Sequence, residues 1–174
     1  MNARNFGSNV VRQIQLLVSI VGCVILIGTF GIQVIRVEGL SMAPTINDRD
    51  RLIVDEMVYE LGDPRPGDIV MLYYPLNPQE MFIKRVIARE GDTVRVERGD
   101  VYVNEQRLRD DYIPAPFRSH EDWGPQRVVE GYYFVLGDHR NSSSDSREWG
   151  LVPKRYILGK VKLRWWPIQD ARLF

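Results

Sequence analysis

A continuous apolar stretch from Ile14 to Ile35 constrains the fold of this 174-residue chain more than any other feature. It carries no charge, and its only polar side chains are Gln15, Ser19, Thr29 and Gln33. A helix needs about 20 such residues to cross the roughly 30 Å hydrocarbon core of a bilayer. The apolar part of a secretory signal peptide is shorter, about 7 to 15 residues, and usually leads into an Ala-x-Ala-like cleavage site that is absent here. The sequence therefore predicts an uncleaved transmembrane signal-anchor helix over residues 14–35.

The charges on either side of this stretch predict its orientation. Arg4 and Arg12 precede it without any acidic residue, whereas several acidic residues soon follow Arg36. Because segments rich in basic residues stay in the cytoplasm, residues 1–13 are predicted to form a cytoplasmic tail. Residues 36–174 are then expected to form one exocytoplasmic domain, large enough for one modest core, on a single-pass protein of the plasma membrane.

Composition excludes some classes of partner and site. With 23 basic and 23 acidic residues, the chain has no net field to attract nucleic acid, and we expect no nucleic-acid partner. Cys23 is the only cysteine, and it lies within the predicted span. The outer domain is therefore expected to have no internal disulfide and no thiol nucleophile, although it faces an oxidising compartment.

Beyond residue 36 the hydrophobic pattern is that of β-strands. Apolar residues alternate with polar ones or form short runs, and Gly, Pro, Asn or Asp interrupt them. The predicted strands are Arg51–Val54, Asp68–Tyr74, Met81–Glu90, Thr93–Glu97, Val101–Val103, Gln106–Leu108, Tyr132–Leu136 and Gly159–Trp165. Short helices are predicted at Glu56–Leu61 and Pro153–Tyr156, and a long loop at Asp110–Gln126. The predicted fold class is mainly β: a compact antiparallel, barrel-like sheet that follows one transmembrane helix.

Two side chains have the chemistry of a catalytic pair. Ser41 lies a few residues beyond the apolar stretch, so a nucleophile at this position would be held at the membrane surface. Strand alternation places Lys84 on one face with Phe82 and Val86. A lysine acts as a general base only when neutral, and burial against apolar neighbours lowers its pKa from about 10.4. Taken singly, each residue also has a purely structural explanation. Ser41 could begin a turn of the Ser-x-x-Pro type, and Lys84 could protect the edge of a strand from pairing with another chain.

A polar loop after the strand that ends at Leu136 supplies a third group. Its charges and Trp149 distinguish it from a flexible Ser-rich linker. The hydroxyl of Ser143 is expected to hydrogen-bond the lysine amine. Asp145 and Arg147 are expected to pair and to brace the loop.

These segments, in this order, resemble the characteristic segments of type I signal peptidases, the bacterial leader peptidases with a Ser-Lys dyad. The matching stretches are the apolar anchor, Ser41–Thr45, Gly67–Val70, Lys84–Val86 with Gly91-Asp92, and Gly137–Arg147. Three positions depart from the family pattern. Gly39 stands where some members have serine, Glu90 where a proline usually precedes Gly-Asp, and His139 where many members have asparagine.

The resemblance implies a role for each matching residue. Ser41 would be the nucleophile, Lys84 the general base, Ser143 the residue that orients Lys84, and Asp145 with Arg147 the supporting pair. The backbone amide of Ser41 would be the main oxyanion donor, since Gly39 has no hydroxyl. The substrate pockets would be lined by Met42, Phe82, Ile83 and Val37.

The resemblance also implies partners and excludes cofactors. The substrates would be signal peptides of preproteins in the lipid bilayer, cut after an Ala-x-Ala-like motif. An extended substrate would add a strand to a sheet edge, with alternate side chains in shallow pockets. Neither a metal nor an organic cofactor is implied.

Four alternatives remain open at this point. Asp138 and His139 with a nearby serine form a nominal Ser-His-Asp triad, although adjacent Asp and His residues rarely face each other. The consecutive ligands of His120-Glu121-Asp122 do not easily converge on one metal ion. A Ser-Lys autoprotease would need a scissile Ala-Gly, a dipeptide that this sequence lacks. A membrane-anchored β module that only binds partners would tolerate the loss of Ser41 or Lys84.

Overall fold

The structure is a computed structural model that describes residues 11–22 and 31–174. Residues 11–22 are helical, and this helix includes residues 14–22 of the predicted span. The predicted tail up to residue 10 and the predicted span at residues 23–30 lie outside the described residues. Within the described ranges, no helix combines the length and the apolar character that a bilayer crossing requires.

The end of the predicted span is wrong, because Ile32–Arg36 form a strand, β1, rather than the last turn of a helix. Gly31 precedes it with a φ of 61°, a left-handed conformation that glycine adopts without a Cβ clash. Ile32, Val34 and Ile35 are β-branched and favour extended structure. Moreover, β1 pairs along its whole length with β2 at the edge of a sheet, so the backbone groups that face β2 are hydrogen-bonded.

The remaining strands confirm the predicted mainly β, antiparallel fold. They are β2 (Arg51–Asp55), β3 (Ile69–Tyr74), β4 (Asn77–Arg89), β5 (Thr93–Glu97), β6 (Asp100–Val103), β7 (Gln106–Arg107), β8 (Trp123–Arg127), β9 (Tyr132–Leu136), β10 (Val152–Pro153), β11 (Ile157–Trp166) and β12 (Arg172–Leu173). They form two sheets rather than one. The larger has the order β1-β2-β11-β3-β4-β9-β10, with β12 beside β11, and the smaller has the order β7-β6-β5-β8.

Helical elements beyond residue 31 are short. Single 3-10 turns lie at Met57–Tyr59, Ala115–Phe117, Lys154–Tyr156 and Ile168–Asp170, and the α-helix Ser146–Trp149 has four residues. The turns at Met57–Tyr59 and Lys154–Tyr156 fall within the two predicted helices. The prediction of one long loop over residues 110–126 is wrong, because Ala115–Phe117 form a 3-10 turn and Trp123–Arg127 form strand β8.

Three apolar clusters bury the sheets and fix the position of β4. One face of the larger sheet packs around Val70, Val86 and Val135, and the other packs around Met42, Leu52 and Met71. The third cluster joins the two sheets, because Ile87 and Phe134 of the larger sheet pack against Val94 and Val96 of the smaller one. Strand β4 contributes to all three clusters and is therefore a rigid support for Lys84.

Candidate active site

Ser41 lies at the start of a tight turn that the core holds in place. The amide of Ala43 donates to the carbonyl of Leu40 at 3.0 Å, and the amide of Ile46 donates to that of Met42 at 2.9 Å. Met42 and Ile46 are 2% and 0% exposed, so both are anchored in the core next to β2 and β3. Ser41 itself is half-buried. Its hydroxyl is thus presented from a fixed backbone.

Lys84 reaches this hydroxyl from the middle of β4. It is 2% exposed, and it lies opposite Val70 in the pairing of β3 with β4. Its Nζ is 2.7 Å from Ser41 Oγ and 5.2 Å from the centroid of the Phe82 ring. The predicted alternation is therefore correct, and the structure brings together two side chains that are 43 residues apart in sequence.

Burial lowers the pKa of Lys84 from its ordinary value to about 8, because the ammonium loses its hydration. The carboxylates of Asp145 and Glu148 act in the opposite direction and limit the fall. With a pKa of about 8, roughly one amine in ten is neutral at pH 7, compared with a fraction on the order of 10⁻³ to 10⁻⁴ for a solvated lysine. The site therefore contains a usable population of free base.

The buried ammonium also predicts a stability effect. We expect Lys84→Met to raise the free energy of unfolding at pH 7 by on the order of 2 kcal/mol, because folding no longer buries a charge. The folded pKa of about 8 lies below the ordinary 10.5, so between these values unfolding takes up a proton and wild-type stability rises with pH. The difference between variant and wild type should therefore shrink from pH 8 to pH 10.5 in urea unfolding curves of the full chain. A variant less stable than wild type at pH 7 would contradict this prediction.

Asp145 and Arg147 form the predicted pair and stabilise the loop over residues 137–147. The Asp145 carboxylate is fully buried and accepts hydrogen bonds from the Gly137 amide at 3.1 Å, the Arg147 amide at 3.3 Å, and Arg147 Nε and Nη2 at 2.9 Å. Arg147 Nη2 also donates to the carbonyl of Arg140 at 2.6 Å. Asp145 is the N-cap of the helix Ser146–Trp149, so one carboxylate holds both ends of the loop.

Ser143 differs from its predicted contact. Its hydroxyl is buried and has no hydrogen-bond partner among the described residues, so the expected bond to Lys84 is absent. The side chain instead lies against Gly137, where an added Cβ would come within 2.1 Å of Ser143 Oγ and 2.4 Å of the Ser41 carbonyl oxygen. The 137–147 loop therefore approaches Ser41 so closely that only glycine fits at position 137.

The pair of Arg85 with Asp138 was not predicted. Arg85 Nε and Nη2 donate to the two Asp138 carboxylate oxygens at 2.8 and 2.6 Å, and the Asp138 side chain is fully buried. Arg85 follows Lys84 in β4, and Asp138 begins the loop after β9, so the pair ties the strand to the loop. This contact depends on the register of β4 with β9, which pairs Arg85 with Leu136. That register could not be predicted from the sequence.

The same contacts argue against the histidine triad. Asp138 is occupied by Arg85, whereas His139 Nδ1 lies 3.1 Å from the Leu40 carbonyl oxygen, so these two residues do not form a triad with a serine. Within residues 11–22 and 31–174, no group of three His, Cys, Asp or Glu side chains is arranged to hold a metal ion.

A cavity of about 410 Å³ opens beside Ser41 and Lys84. All four predicted pocket residues line it: Val37, Met42, Phe82 and Ile83. Further apolar walls come from Ile35, Leu40, Met71 and Met81, and the chain from Arg36 to Leu40 forms one side of the cavity. The amide of Ser41 has no backbone acceptor in the described part of the chain, and Ser41 itself lines the cavity.

Comparisons with known proteins agree with this geometry. The family model described as "Signal peptidase, peptidase S26" matches residues 10–166. A probable signal peptidase I-2 of Synechocystis sp. is 41% identical over 84% of this chain and 69% of its own length. A signal peptidase I of Bacillus caldolyticus is 38% identical over 77% of this chain and 79% of its own length. Among solved structures, a signal peptidase I from Enterococcus faecalis matches with a TM-score of 0.50 and 30% identity, over 56% of this chain and 96% of that one.

Proposed function

The chain belongs to the signal peptidase family, peptidase S26, and we propose that it is a membrane-anchored serine endopeptidase that removes signal peptides from exported preproteins. One observation carries the proposal: a buried lysine amine lies 2.7 Å from a serine hydroxyl at the wall of an apolar cavity. A metal or a thiol is not needed for this chemistry, because the pair itself provides the nucleophile and its base.

In the proposed acylation step, neutral Lys84 takes the proton of the Ser41 hydroxyl as the oxygen attacks the carbonyl carbon of the scissile bond. The amide hydrogen of Ser41 stabilises the negative charge that develops on the carbonyl oxygen. When the tetrahedral intermediate breaks down, the C–N bond is cleaved and Lys84 returns its proton to the leaving amine. The signal peptide remains esterified to Ser41, and the mature protein leaves with a free N-terminus.

In deacylation the same base acts on water. Neutral Lys84 takes a proton from water as the water oxygen attacks the ester carbonyl, and it gives that proton back to Ser41 Oγ as the ester bond breaks. While Lys84 is an ammonium it has three donors, only one of which is used by Ser41. We propose that, when the bound substrate covers the site, the buried hydroxyl of Ser143 accepts from the ammonium, a bond that it does not make in this structure.

Asp145 and Arg147 support the pair indirectly. Their hydrogen bonds fix the 137–147 loop, whose Gly137 lies against the Ser41 carbonyl. We propose that this contact keeps the Ser41 backbone at its distance from Lys84. Arg85 and Asp138 add a second tie between the same loop and β4.

The cavity supports specificity for small side chains. An extended substrate along residues 36–40 presents alternate side chains to the same wall, which is the spacing of the first and third positions of Ala-x-Ala. We propose that Val37, Met42, Phe82 and Ile83 limit both positions to alanine-sized groups.

The membrane anchor remains part of the proposal. With β1 beginning at Ile32, the span would cover residues 14–30, within the range of about 17 to 25 residues for a transmembrane helix. Arg4 and Arg12 support a cytoplasmic N-terminus, and residues 36–174 would then lie on the exocytoplasmic face of the plasma membrane. The site would thus face substrates that are themselves held in the bilayer.

The proposal predicts cleavage of a secretory preprotein with an Ala-x-Ala site by the full chain in detergent. Mass spectrometry of both fragments should place the cut after the last alanine. Replacing that alanine by phenylalanine should reduce the rate by about 10²-fold, because a bulky group in a pocket that fits alanine costs about 3 kcal/mol. A matched preprotein with phenylalanine at the central position, whose side chain points away from the wall, should be cut at nearly the normal rate. Binding of the preprotein without cleavage would instead support a non-catalytic module.

A further inference from the structure

His139 lies beside the nucleophile but has no part in the mechanism described above. Its backbone amide donates to the Ser41 carbonyl at 3.1 Å, and its Nδ1 lies 3.1 Å from the Leu40 carbonyl oxygen. The imidazole ring packs edge-on against Phe117, with ring centroids 4.8 Å apart. His139 therefore contacts both peptide units that flank the Ser41 Cα.

We propose that His139 is a positioning residue that orients the peptide unit between Leu40 and Ser41, and with it the amide hydrogen that stabilises the oxyanion. This inference rests on the proposed function. A trans peptide unit is planar, and its C=O and N–H groups point in opposite directions. A hydrogen bond that fixes the Leu40 carbonyl on the side of the 137–147 loop consequently directs the Ser41 amide hydrogen away from that loop, into the cavity.

The local backbone makes such a contact important. Gly39, just before this peptide unit, is exposed, has a φ of 100° and has no atom within 4 Å of a Cβ position. Leu40 is 54% exposed. Few packing contacts therefore restrain the backbone on this side of Ser41, and the peptide plane is held mainly by hydrogen bonds. These are the bond from Gly39 N to Asp48 Oδ1 at 2.9 Å and the two donors to the Leu40 carbonyl, Ala43 N and His139 Nδ1.

The His139 ring is itself held in place. Phe117 packs on it from the segment before β8, and Asn141 Nδ2 donates to the carbonyl of Pro116 at 3.0 Å, which joins that segment to the 137–147 loop. For the bond to Leu40, Nδ1 must carry a hydrogen, as it does in one neutral tautomer and in the imidazolium. Two donors on one carbonyl also polarise the peptide unit and strengthen its N–H as a donor.

The expected kinetic effect follows from this role. Removal of an oxyanion donor costs about 10²- to 10³-fold in kcat, and misorientation of a retained donor costs less. We expect the loss of the His139 side-chain donor to lower kcat about 10- to 100-fold with KM nearly unchanged, because the oxyanion exists only in the transition state.

The test uses a matched pair of variants in the full chain. His139→Asn and His139→Leu have side chains of the same branched outline, but only asparagine has an N–H donor. We expect His139→Asn to keep kcat within about threefold of wild type and His139→Leu to lower it about 10- to 100-fold, with similar KM and similar unfolding midpoints. His139→Phe, which retains an aromatic contact to Phe117, provides a second donor-free variant if His139→Leu does not fold.

The outcomes separate this inference from the proposed function. Equal kcat for His139→Asn and for the folded donor-free variant, with wild type active and Ser41→Ala inactive, would overturn the positioning role and leave the peptidase assignment intact. A rise in KM with unchanged kcat would also overturn it, because His139 would then contact the substrate ground state. An inactive wild-type chain would instead contradict the proposed function.

Discussion

Lys84→Met is expected to lower kcat for preprotein cleavage by about 10³-fold or more, although it stabilises the fold. A positioned general base contributes about 10²- to 10⁴-fold, and Lys84 is the only side chain among the described residues that is hydrogen-bonded to Ser41 Oγ and could take its proton. Methionine fills the volume of the lysine stem between Phe82 and Val86, so the cavity keeps its shape. Single-turnover cleavage in detergent, with urea unfolding of the same preparation, measures both effects.

Ser41→Ala is the matched control for this variant. We expect it to lose at least as much activity as Lys84→Met, and the double variant should be no worse than either single one, because the two groups act as one unit. Residues far from the pair, with no partner in common with it, should instead give additive effects. Cleavage at more than about a tenth of the wild-type rate in either single variant would contradict the role assigned to that residue.

The pH dependence of the wild-type enzyme tests the same assignment. Only the neutral amine acts as a base, so kcat/KM should rise about tenfold per pH unit below the Lys84 pKa of about 8 and then level off. This profile reports the free enzyme. An inflection near pH 6.5, the ordinary pKa of histidine, would instead indicate an imidazole base.

The strands that the sequence predicts correctly either alternate polar and apolar side chains or form a short apolar run between turn residues. Thr93–Glu97 and Tyr132–Leu136 have the predicted bounds. Strand β1 was missed because its alternation is hidden in a continuous apolar stretch, where helix and strand patterns look alike. It forms a strand because β2 offers a free edge for pairing, and that is a tertiary effect.

Strand β8 was missed for a different reason. Its segment contains Gly124 and Pro125, which normally indicate a loop. Tertiary contacts override this local preference: the Trp123 ring packs 4.9 Å from that of Phe134, and Trp123 Nε1 donates to the Arg147 carbonyl at 3.0 Å. β8 also pairs with β5 through an irregular register, which no alternation in the sequence could indicate.

The contacts at the site that could be predicted are those between residues close together in the sequence. The apolar neighbours of Lys84 follow from strand alternation, and the pairing of Asp145 with Arg147 follows from opposite charges two residues apart. The contacts of Arg85 with Asp138 and of His139 with Leu40 depend instead on which strands pair and on how the loop turns. The Ser143 hydroxyl shows the converse, because a residue type with suitable chemistry is buried against Gly137 without a hydrogen-bond partner among the described residues.

Asp145→Asn is expected to cause the largest loss of stability, about 3 kcal/mol in the free energy of unfolding, because it leaves Arg147 largely buried without a counter-charge. The carboxylate accepts four hydrogen bonds. An asparagine has one acceptor oxygen, and its amide group would face the guanidinium. Asp100→Asn is the control, since its ion pair with Arg107 is partly exposed at both ends and should contribute less than about 1 kcal/mol.

The same variant should move the pH profile of whatever activity remains. Asp145 is the carboxylate that most raises the pKa of Lys84, and Arg147 lowers that pKa. Without the Asp145 charge, the largest carboxylate contribution that raises the Lys84 pKa is lost, while the charge of Arg147 still lowers it. The pKa of Lys84 should therefore fall, and the rise in kcat/KM should shift to lower pH than in the wild type. Lower activity with an unshifted profile would mean that Asp145 acts on the loop alone. An unfolding free energy equal to that of Asp100→Asn would mean that the carboxylate does not hold the 137–147 loop against Ser41.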